Sequence, residues 1–429
     1  MTSPNSLAAS APAAEESWTP AQRRAVLAAF LGWMFDAFDF FLVVFALERI
    51  AGDLGTDVKS VTYAIFLTLA MRPLGAFLFG RWADHIGRRP VLMMNVVLYS
   101  LLEFASAFAP TLTVFLVLRA LFGVAMGGEW GVGASLAMES IPARSRGAVS
   151  GILQSGYPTG YLLAAIIFGL LYEHIGWRGM LMVGAAPAIL VLWVLRGVPE
   201  SKAWVSSRAT KGSLRAGLSG HWRLLAYAVV LMTVFNFFSH GTQDLYPTFL
   251  RSRGLSTATI SRVAIVYNIG AICGGLFVGW LSSRIGRRRA IALAALLALP
   301  VLPFWTYGGS AVALGAAAFV MQIMVQGAWA SVPAHLNELS PPSLRATFPG
   351  VVYQLGNLLA SSNATLQAVL AIHHGSEAHP DYAFALALVC AIIAPSLALL
   401  ALLGPEKRNV SFSASERDRP GLPAPDSSP

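Results

Sequence analysis

Between residues 24 and 404 the chain is built from twelve apolar segments separated by short polar loops. They run over 24–48, 60–81, 90–109, 111–138, 146–172, 177–197, 223–250, 257–282, 289–307, 310–334, 346–371 and 381–404. A helix needs about 20 residues to cross the hydrocarbon core of a bilayer. Backbone groups in lipid must be satisfied within helices or a closed barrel, and these segments are too long for barrel strands. Composition agrees. Only 12% of the 429 residues are charged and 56% are hydrophobic, against about 25% charged in a soluble chain. So few charges cannot cover a water-facing surface, and most of this surface must face a lipid bilayer. The net charge of +9 does not point to nucleic acid, because the basic residues sit in short clusters between apolar runs. The only two cysteines, Cys273 and Cys390, lie in apolar stretches, which excludes a disulfide scaffold.

The Lys and Arg residues give an orientation. Loops after the even-numbered segments, together with both tails, hold 22 of the 30, among them Arg81, Arg88, Arg89, Arg144, Arg146 and Arg345. The opposite side holds Arg49, Lys59, Arg178, Arg251, Arg253 and Arg262; Arg72 and Arg119 lie inside spans. The positive-inside rule then places both termini in the cytoplasm of a cell with the protein in its cytoplasmic (inner) membrane. Residues 1–22 and 405–429, rich in small residues, Pro and mixed charge, read as disordered tails. No basic stretch precedes a short apolar one, so no cleavable signal peptide is expected.

The chain repeats itself. Gly80-Arg81-Trp82-Ala83-Asp84-His85-Ile86-Gly87-Arg88-Arg89 returns 199 residues later as Gly279-Trp280-Leu281-Ser282-Ser283-Arg284-Ile285-Gly286-Arg287-Arg288. At the same offset Glu139, Pro142 and Arg146 return as Glu338, Pro341 and Arg345. The expected architecture is therefore all-α: twelve transmembrane helices in two pseudo-symmetric six-helix halves, 23–197 and 223–404, joined by a linker at 198–222. Parallel halves of this kind are a transporter design, with the site between them near the bilayer midplane.

These residues resemble the major facilitator superfamily. Its best-known motif is the Gly-x-x-x-Asp-x-x-Gly-Arg-Arg loop after the second helix. Leu121-x-Gly123-x-x-x-Gly127 with Leu136, Glu139 and Arg146, and Trp177-Arg178 leading to Pro199-Glu200-Ser201, match further marks. Ser283 departs from the motif, where an acid is common. Within the superfamily, Asn236 to Leu250 of the seventh span is similar to the signature of Jen-type monocarboxylate/proton symporters, grouped with the sialic acid/proton symporters. Gly127-Gly128-Glu129-Trp130-Gly131 and Tyr353-Gln354-Leu355-Gly356-Asn357 resemble that family too. The resemblance implies that Arg72 anchors a substrate carboxylate and that Gln354 bears on substrate choice, with Gln154 and Tyr157 in a similar place in the first half.

Ionisable groups inside spans are costly and are functional candidates by default. The acids are Asp36, Asp39, Glu103, Glu129 and Asp244; the fixed cations are Arg72 and Arg119. The imbalance requires some acids to be protonated or wet for part of a cycle. Asp36 lies about 18 Å along the first span, near mid-membrane, with Asp39 a turn beyond. Such a pair can share a proton; the alternatives are a cap at a helix break or a static pairing with Arg119. Asn236, Ser239, His240, Gln243 and Asp244 fall on one helical face, which should line a cavity or pack on another helix. Asn236, His240 and Gln243 suit a carboxylate or hydroxyl, and His240 with Asp244 can share a proton. For Arg72, whose fork suits a carboxylate, the alternative is a salt bridge to Asp36 or Asp39.

Asp84, Arg88 and Arg89 occupy the loop after the second span. With Glu139–Arg146 and Glu338–Arg345 as matching pairs, they are expected to latch helix ends and bias the inward–outward equilibrium. The His residues offer no metal-site spacing, and no phosphate-binding Gly-x-x-x-x-Gly-Lys-Ser/Thr loop or nucleophile set is present, so neither cofactor nor enzyme activity is expected. The expected function is uptake of a small monocarboxylate, such as lactate or pyruvate, with a proton as the coupling ion, by a chain acting as a monomer. Rivals are the same fold carrying sialic acid, an aromatic acid or a dicarboxylate, and a non-transporting receptor. Aromatic-acid/proton symporters usually show Asp-Gly-x-Asp where this chain has Asp36-Ala37-Phe38-Asp39, which counts against that rival.

Overall fold

The computed structural model describes residues 18–207 and 220–412. The parts of the two expected tails and of the linker that fall in 1–17, 208–219 and 413–429 lie outside the described residues. The described chain is helical throughout. The first half comprises α1 (Pro20–Asp53), α2 (Val58–Ile86), α3 (Arg88–Ser106), α4 (Leu112–Ser140), α5 (Arg146–Gln154), α6 (Gly156–Ala185), α7 (Ala188–Arg196) and the short α8 (Lys202–Ser207). The second comprises α9 (Trp222–Gln243), α10 (Tyr246–Ser252), α11 (Thr257–Ile285), α12 (Arg287–Leu297), α13 (Leu302–Tyr307), α14 (Ala311–Trp329), α15 (Val332–Leu339), α16 (Thr347–Ala360), α17 (Asn363–His374) and α18 (Tyr382–Leu403).

Ten stretches among the described residues are long and apolar enough to cross a membrane. One of them, 143–196, is 54 residues long and holds two crossings, because the chain turns within α6 at Gly176, whose φ of 62° suits glycine. Adding α3, the least apolar crossing, completes twelve. Several spans are broken. The seventh is α9 plus α10, interrupted at Asp244–Leu245 just ahead of Pro247, which has no N–H to continue the ladder. The tenth is α14 plus α15, with Pro333 at the restart.

Both tail boundaries differ from the sequence expectation. Helix α1 starts at Pro20, inside the expected tail 1–22, because Thr19 and Gln22 form a capping box. Residues 405–412, expected to be disordered, are tied to the protein: Glu406 accepts from the Arg287 N–H at 2.6 Å and Arg408 donates to the Arg284 carbonyl at 2.8 Å. At the far side, Asp57 caps α2, and the Ser60 hydroxyl and N–H hold its carboxyl below the ordinary range.

Glycines set the tightest packing within each half. A Cβ on Gly127 would sit 2.1 Å from the Arg72 carbonyl oxygen, so α4 and α2 touch backbone to backbone. In the second half Gly274 of α11 meets the Ile323 carbonyl of α14 in the same way, at 2.2 Å. Small residues at a four-residue spacing drive this contact where lipid offers no hydrophobic incentive. The Gly123-x-x-x-Gly127 motif is thus a helix-packing seam on α4, and in the second half the glycines Gly270 and Gly274 stand on the other helix of the pair, α11.

Candidate functional site

The polar face of the seventh span divides in two. Asn236 is buried and donates to the Met232 carbonyl of its own helix at 2.7 Å, and Gln243 donates to the Ser239 hydroxyl at 2.9 Å. His240 and Asp244 are 37% and 39% exposed in their side chains, inside an otherwise packed core. The His240 Nδ1 lies 3.2 Å from Asp244, and its Nε2 lies 3.0 Å from the Asn357 amide oxygen on α16. Asp244 is the C-cap residue that ends α9, and its carboxylate folds back onto His240 one turn earlier. Asn357 received no role from the sequence, although the Gln354-x-x-Asn357 spacing puts both on one face of α16.

In the first half Asp36 and Asp39 are both fully buried on α1. Arg72 is buried too; its Nη2 lies 4.0 Å from Asp36 and donates to the Met126 sulfur, while its Nε has no partner. So the guanidinium is turned toward Asp36, the pairing that the sequence left as its alternative. The pairing of Asp36 or Asp39 with Arg119 is corrected. Arg119 pairs with Glu103 of α3 at 2.7 Å and donates to the Ser106 hydroxyl at 2.7 Å. It sits low on α4's outer half, beside Phe115 and Phe122, where Glu103 is the acid within reach.

On the motif side of both groups lies an aromatic layer that the sequence did not reveal, since Trp33 is a turn before Asp36 and Tyr353 a turn before Asn357. Trp33 of α1 packs on Tyr157 of α6 at 5.3 Å between ring centroids. Trp130 of α4 packs on Tyr353 of α16 at 4.6 Å, and Tyr353 on Trp329 of α14 at 5.6 Å. Rings from both halves therefore meet at one level. Gln154 accepts from the Trp130 indole N–H at 3.4 Å, and the buried Gln354 carbonyl has no partner. The sequence signal was adjacency: Trp33, Trp130 and Tyr353 each neighbour a residue of a conspicuous motif, Gly32, Glu129 and Gln354.

The expected latches form, with different partners. Asp84 reaches across to the start of α16, accepting from the N–H of Ala346 at 2.9 Å, the N–H of Thr347 at 3.1 Å and the Thr347 hydroxyl at 2.6 Å. Arg88 lies 3.1 Å from Asp84 and grips Glu139 with two bonds, at 3.0 and 3.2 Å; Ser201 adds a short hydrogen bond to Glu139. Arg89 donates to the carbonyls of Leu195 and Arg196 at the end of α7. In the second half Arg287 grips Glu338 at 3.0 and 3.1 Å. The ion pairs of Glu139 and Glu338 are thus with the motif arginines, not with Arg146 and Arg345 as expected. Arg146 instead donates to the carbonyls of Met138 and Val410, and both Arg146 and Arg345 stack on Phe412, at 3.5 and 4.4 Å. That tail segment was invisible to the repeat argument.

The molecule is therefore a two-half membrane transport protein whose halves are clamped on the motif-bearing side, with His240 and Asp244 accessible on the other side of the aromatic layer. The Major Facilitator Superfamily model matches residues 29–256 and 231–425, and the chain belongs to that superfamily: a multi-pass transporter, not an enzyme. It is 30% identical to a carboxylic acid transporter protein homolog of Saccharomyces cerevisiae, over 84% of this chain and 64% of that protein, so the match spans just under two thirds of that relative's length. It is 30% identical to the sialic acid transporter NanX of Escherichia coli, over 79% of this chain and 84% of that one. It is 26% identical to a putative niacin/nicotinamide transporter of Bacillus subtilis, over 91% and 98%. The fold matches the solved proton:xylose symporter XylE with a TM-score of 0.76, at 18% identity over 92% of this chain and 98% of that one.

Proposed function

We propose that this protein takes up a small monocarboxylate of the lactate or pyruvate kind together with a proton, by alternating access, acting as a monomer in the cytoplasmic membrane with both termini inside. The observation that carries the reading is the His240–Asp244 pair. It is an ionisable couple, open to solvent within the core, and tied through Asn357 to α16, the first part of the eleventh span. Arg72 supplies the positive charge that a carboxylate needs. Its unpartnered Nε and its loose 4.0 Å contact with Asp36 leave it able to exchange Asp36 for a substrate anion. Protonation of Asp36, Asp39, His240 or Asp244 offsets the anion's charge, so one proton with one monoanion crosses without net charge movement. Asn236, Gln243, Gln154, Tyr157 and Gln354 are assigned to the walls of the site. The relatives named for carboxylic acids and sialic acid support an organic acid as the cargo.

A second reading, an aromatic or unsaturated acid, draws on the ring layer of Trp33, Trp130, Tyr157 and Tyr353, since planar rings stack well on such a floor. The test is uptake of a labelled acid panel into proteoliposomes with an imposed pH gradient. Accumulation of lactate or pyruvate supports the first reading, accumulation of aromatic acids alone supports the second, and no accumulation of any carboxylate sinks both.

A further inference from the structure

The interior of the first half holds four acids: Asp36 and Asp39 on α1, Glu103 on α3 and Glu129 on α4, each at most 1% exposed. Two arginines serve them. Arg119 is taken by Glu103 and Arg72 leans on Asp36. Asp39 and Glu129 are left without an ion pair, and none of their carboxyl oxygens has a hydrogen-bond partner. A buried carboxylate with neither cation nor donor is unstable, and the neutral acid is the form that resolves this. Glu129 is enclosed by backbone. Its Oε1 lies 2.2 Å from where a Cβ on Gly32 would be and 3.2 Å from one on Gly133, so two glycines make its slot and the α1 backbone closes it.

The acids are also staged by depth. Glu129 stands eleven residues before the end of α4, about 16 Å from the motif side. Asp36 stands sixteen residues after the start of α1, about 24 Å from that side, and Asp39 is a turn further. The groups facing Glu129 from its neighbours are Asp36 of α1, Arg72 of α2 and Tyr99 of α3. The Tyr99 hydroxyl is itself buried without a partner and lies within reach of the charges of Asp39, Glu129 and Asp36. Tyr353 of α16 lies across the neighbouring Trp130. Arg146 of α5 and Glu338 of α15 are engaged at the motif end, by the Met138 carbonyl and by Arg287, with His335 a turn from Glu338.

Resting on the proton-coupled reading above, we infer that Glu129 is the inner station of the coupling proton, the group that hands it to the cytoplasm. When the halves open on the motif side and α1 parts from α4, water enters the slot. The Glu129 O–H bond breaks and its proton leaves on that water. The carboxylate then takes the proton held by Asp36 or Asp39, relayed through the Tyr99 hydroxyl or a water molecule. The α1 acid is refilled from outside in the outward-facing state. One proton enters and one leaves per cycle, and Glu129 ends neutral as it began.

The test uses the purified full-length protein and its Glu129→Gln and Glu129→Asp variants. Infrared difference spectra at neutral pH, without substrate, should show a protonated-carboxyl band in the wild type that Glu129→Gln lacks. In proteoliposomes, an acid that the wild type concentrates about tenfold for one pH unit of gradient should reach only its outside level in Glu129→Gln. Exchange of that acid across the membrane should persist in part, and Glu129→Asp should regain a measurable share of the accumulation. An unchanged infrared band, or full accumulation by Glu129→Gln, overturns the assignment. So does loss of exchange in both variants, which would reduce Glu129 to a packing group. A wild type that concentrates no acid sinks the transport reading itself, an outcome distinct from all of these.

Discussion

At the residue scale, charge inside an apolar span is costly to hold. An acid or arginine in an apolar span must have a reason, and that rule alone singles out Asp36, Asp39, Arg72, Arg119 and Asp244. What the rule does not give is partners, because pairing depends on how helices rotate and where they cross. Hence Arg119 went to Glu103 and not to the α1 acids, and Asn357 was not seen beside His240. Two predictions belong here. Arg72→Lys should not restore function, because an ammonium is a point charge and cannot bind Met126 and a carboxylate through a planar fork. Affinity for the transported acid should fall at least tenfold in a binding titration, and wild-type affinity in a folded variant would remove Arg72 from the site. Asp244→Asn keeps size and hydrogen bonding but cannot ionise. It should abolish accumulation driven by acid outside while leaving exchange partly intact. If it still concentrates substrate, as measured beside Asp36→Asn, Asp39→Asn and His240→Gln, the coupling group is elsewhere.

At the element scale, the apolar segments located all twelve crossings but none of the interior breaks. The break at Asp244–Leu245 could be read from Pro247; the stop of α16 at Ala360 had no such mark. The repeat at a shift of 199 found the motif loops and the two glutamates. It missed a second correspondence, because the lengths differ. Pro199-Glu200 and Pro405-Glu406 each follow their half, and each glutamate accepts from the N–H of the motif arginine, Arg88 or Arg287. Each thereby caps the helix that starts after Gly87 or Gly286, where positive φ values of 116° and 97° turn the chain. Glu406→Ala should therefore destabilise the second half by about 1 kcal/mol, the typical worth of a lost helix cap, read as a lower melting temperature of the solubilised protein. An unchanged melting temperature would make the tail segment a bystander.

At the scale of the whole molecule, the clamp between halves is lopsided. Asp84 bonds two backbone N–H groups and a hydroxyl at the start of α16, where the helix dipole favours an anion. The equivalent place in the other half is Ser283. Its hydroxyl is buried without a partner, and it lies against the start of α5, 2.3 Å from where a Cβ on Gly147 would be. The molecule thus holds its motif side closed with one charged latch and leaves the pseudo-symmetric one uncharged. Charge-assisted hydrogen bonds contribute about 1.5–3 kcal/mol each, so a single such bond moves a two-state equilibrium by one to two orders of magnitude. Asp84→Asn should weaken the closed state and slow transport about tenfold, with apparent affinity changed far less. A large affinity loss with normal turnover would contradict a latch. Ser283→Asp should act in the opposite sense. A carboxylate there lies at the start of α5, where the helix dipole favours an anion, and has Arg287 close by, since a Cβ on Gly147 would also lie 2.4 Å from the Arg287 Nη1. The second latch would then over-stabilise the closed motif side. Turnover should fall several-fold, while affinity measured from the His240 side stays the same or tightens, because the binding-competent outward state becomes more populated. Combining Ser283→Asp with Asp84→Asn should bring turnover back toward the wild-type value, since one change loosens the clamp that the other tightens. If the double variant is instead slower than either single one, the two positions do not set one common equilibrium, and the reading of Asp84 and Ser283 as equivalent places in one lopsided clamp fails.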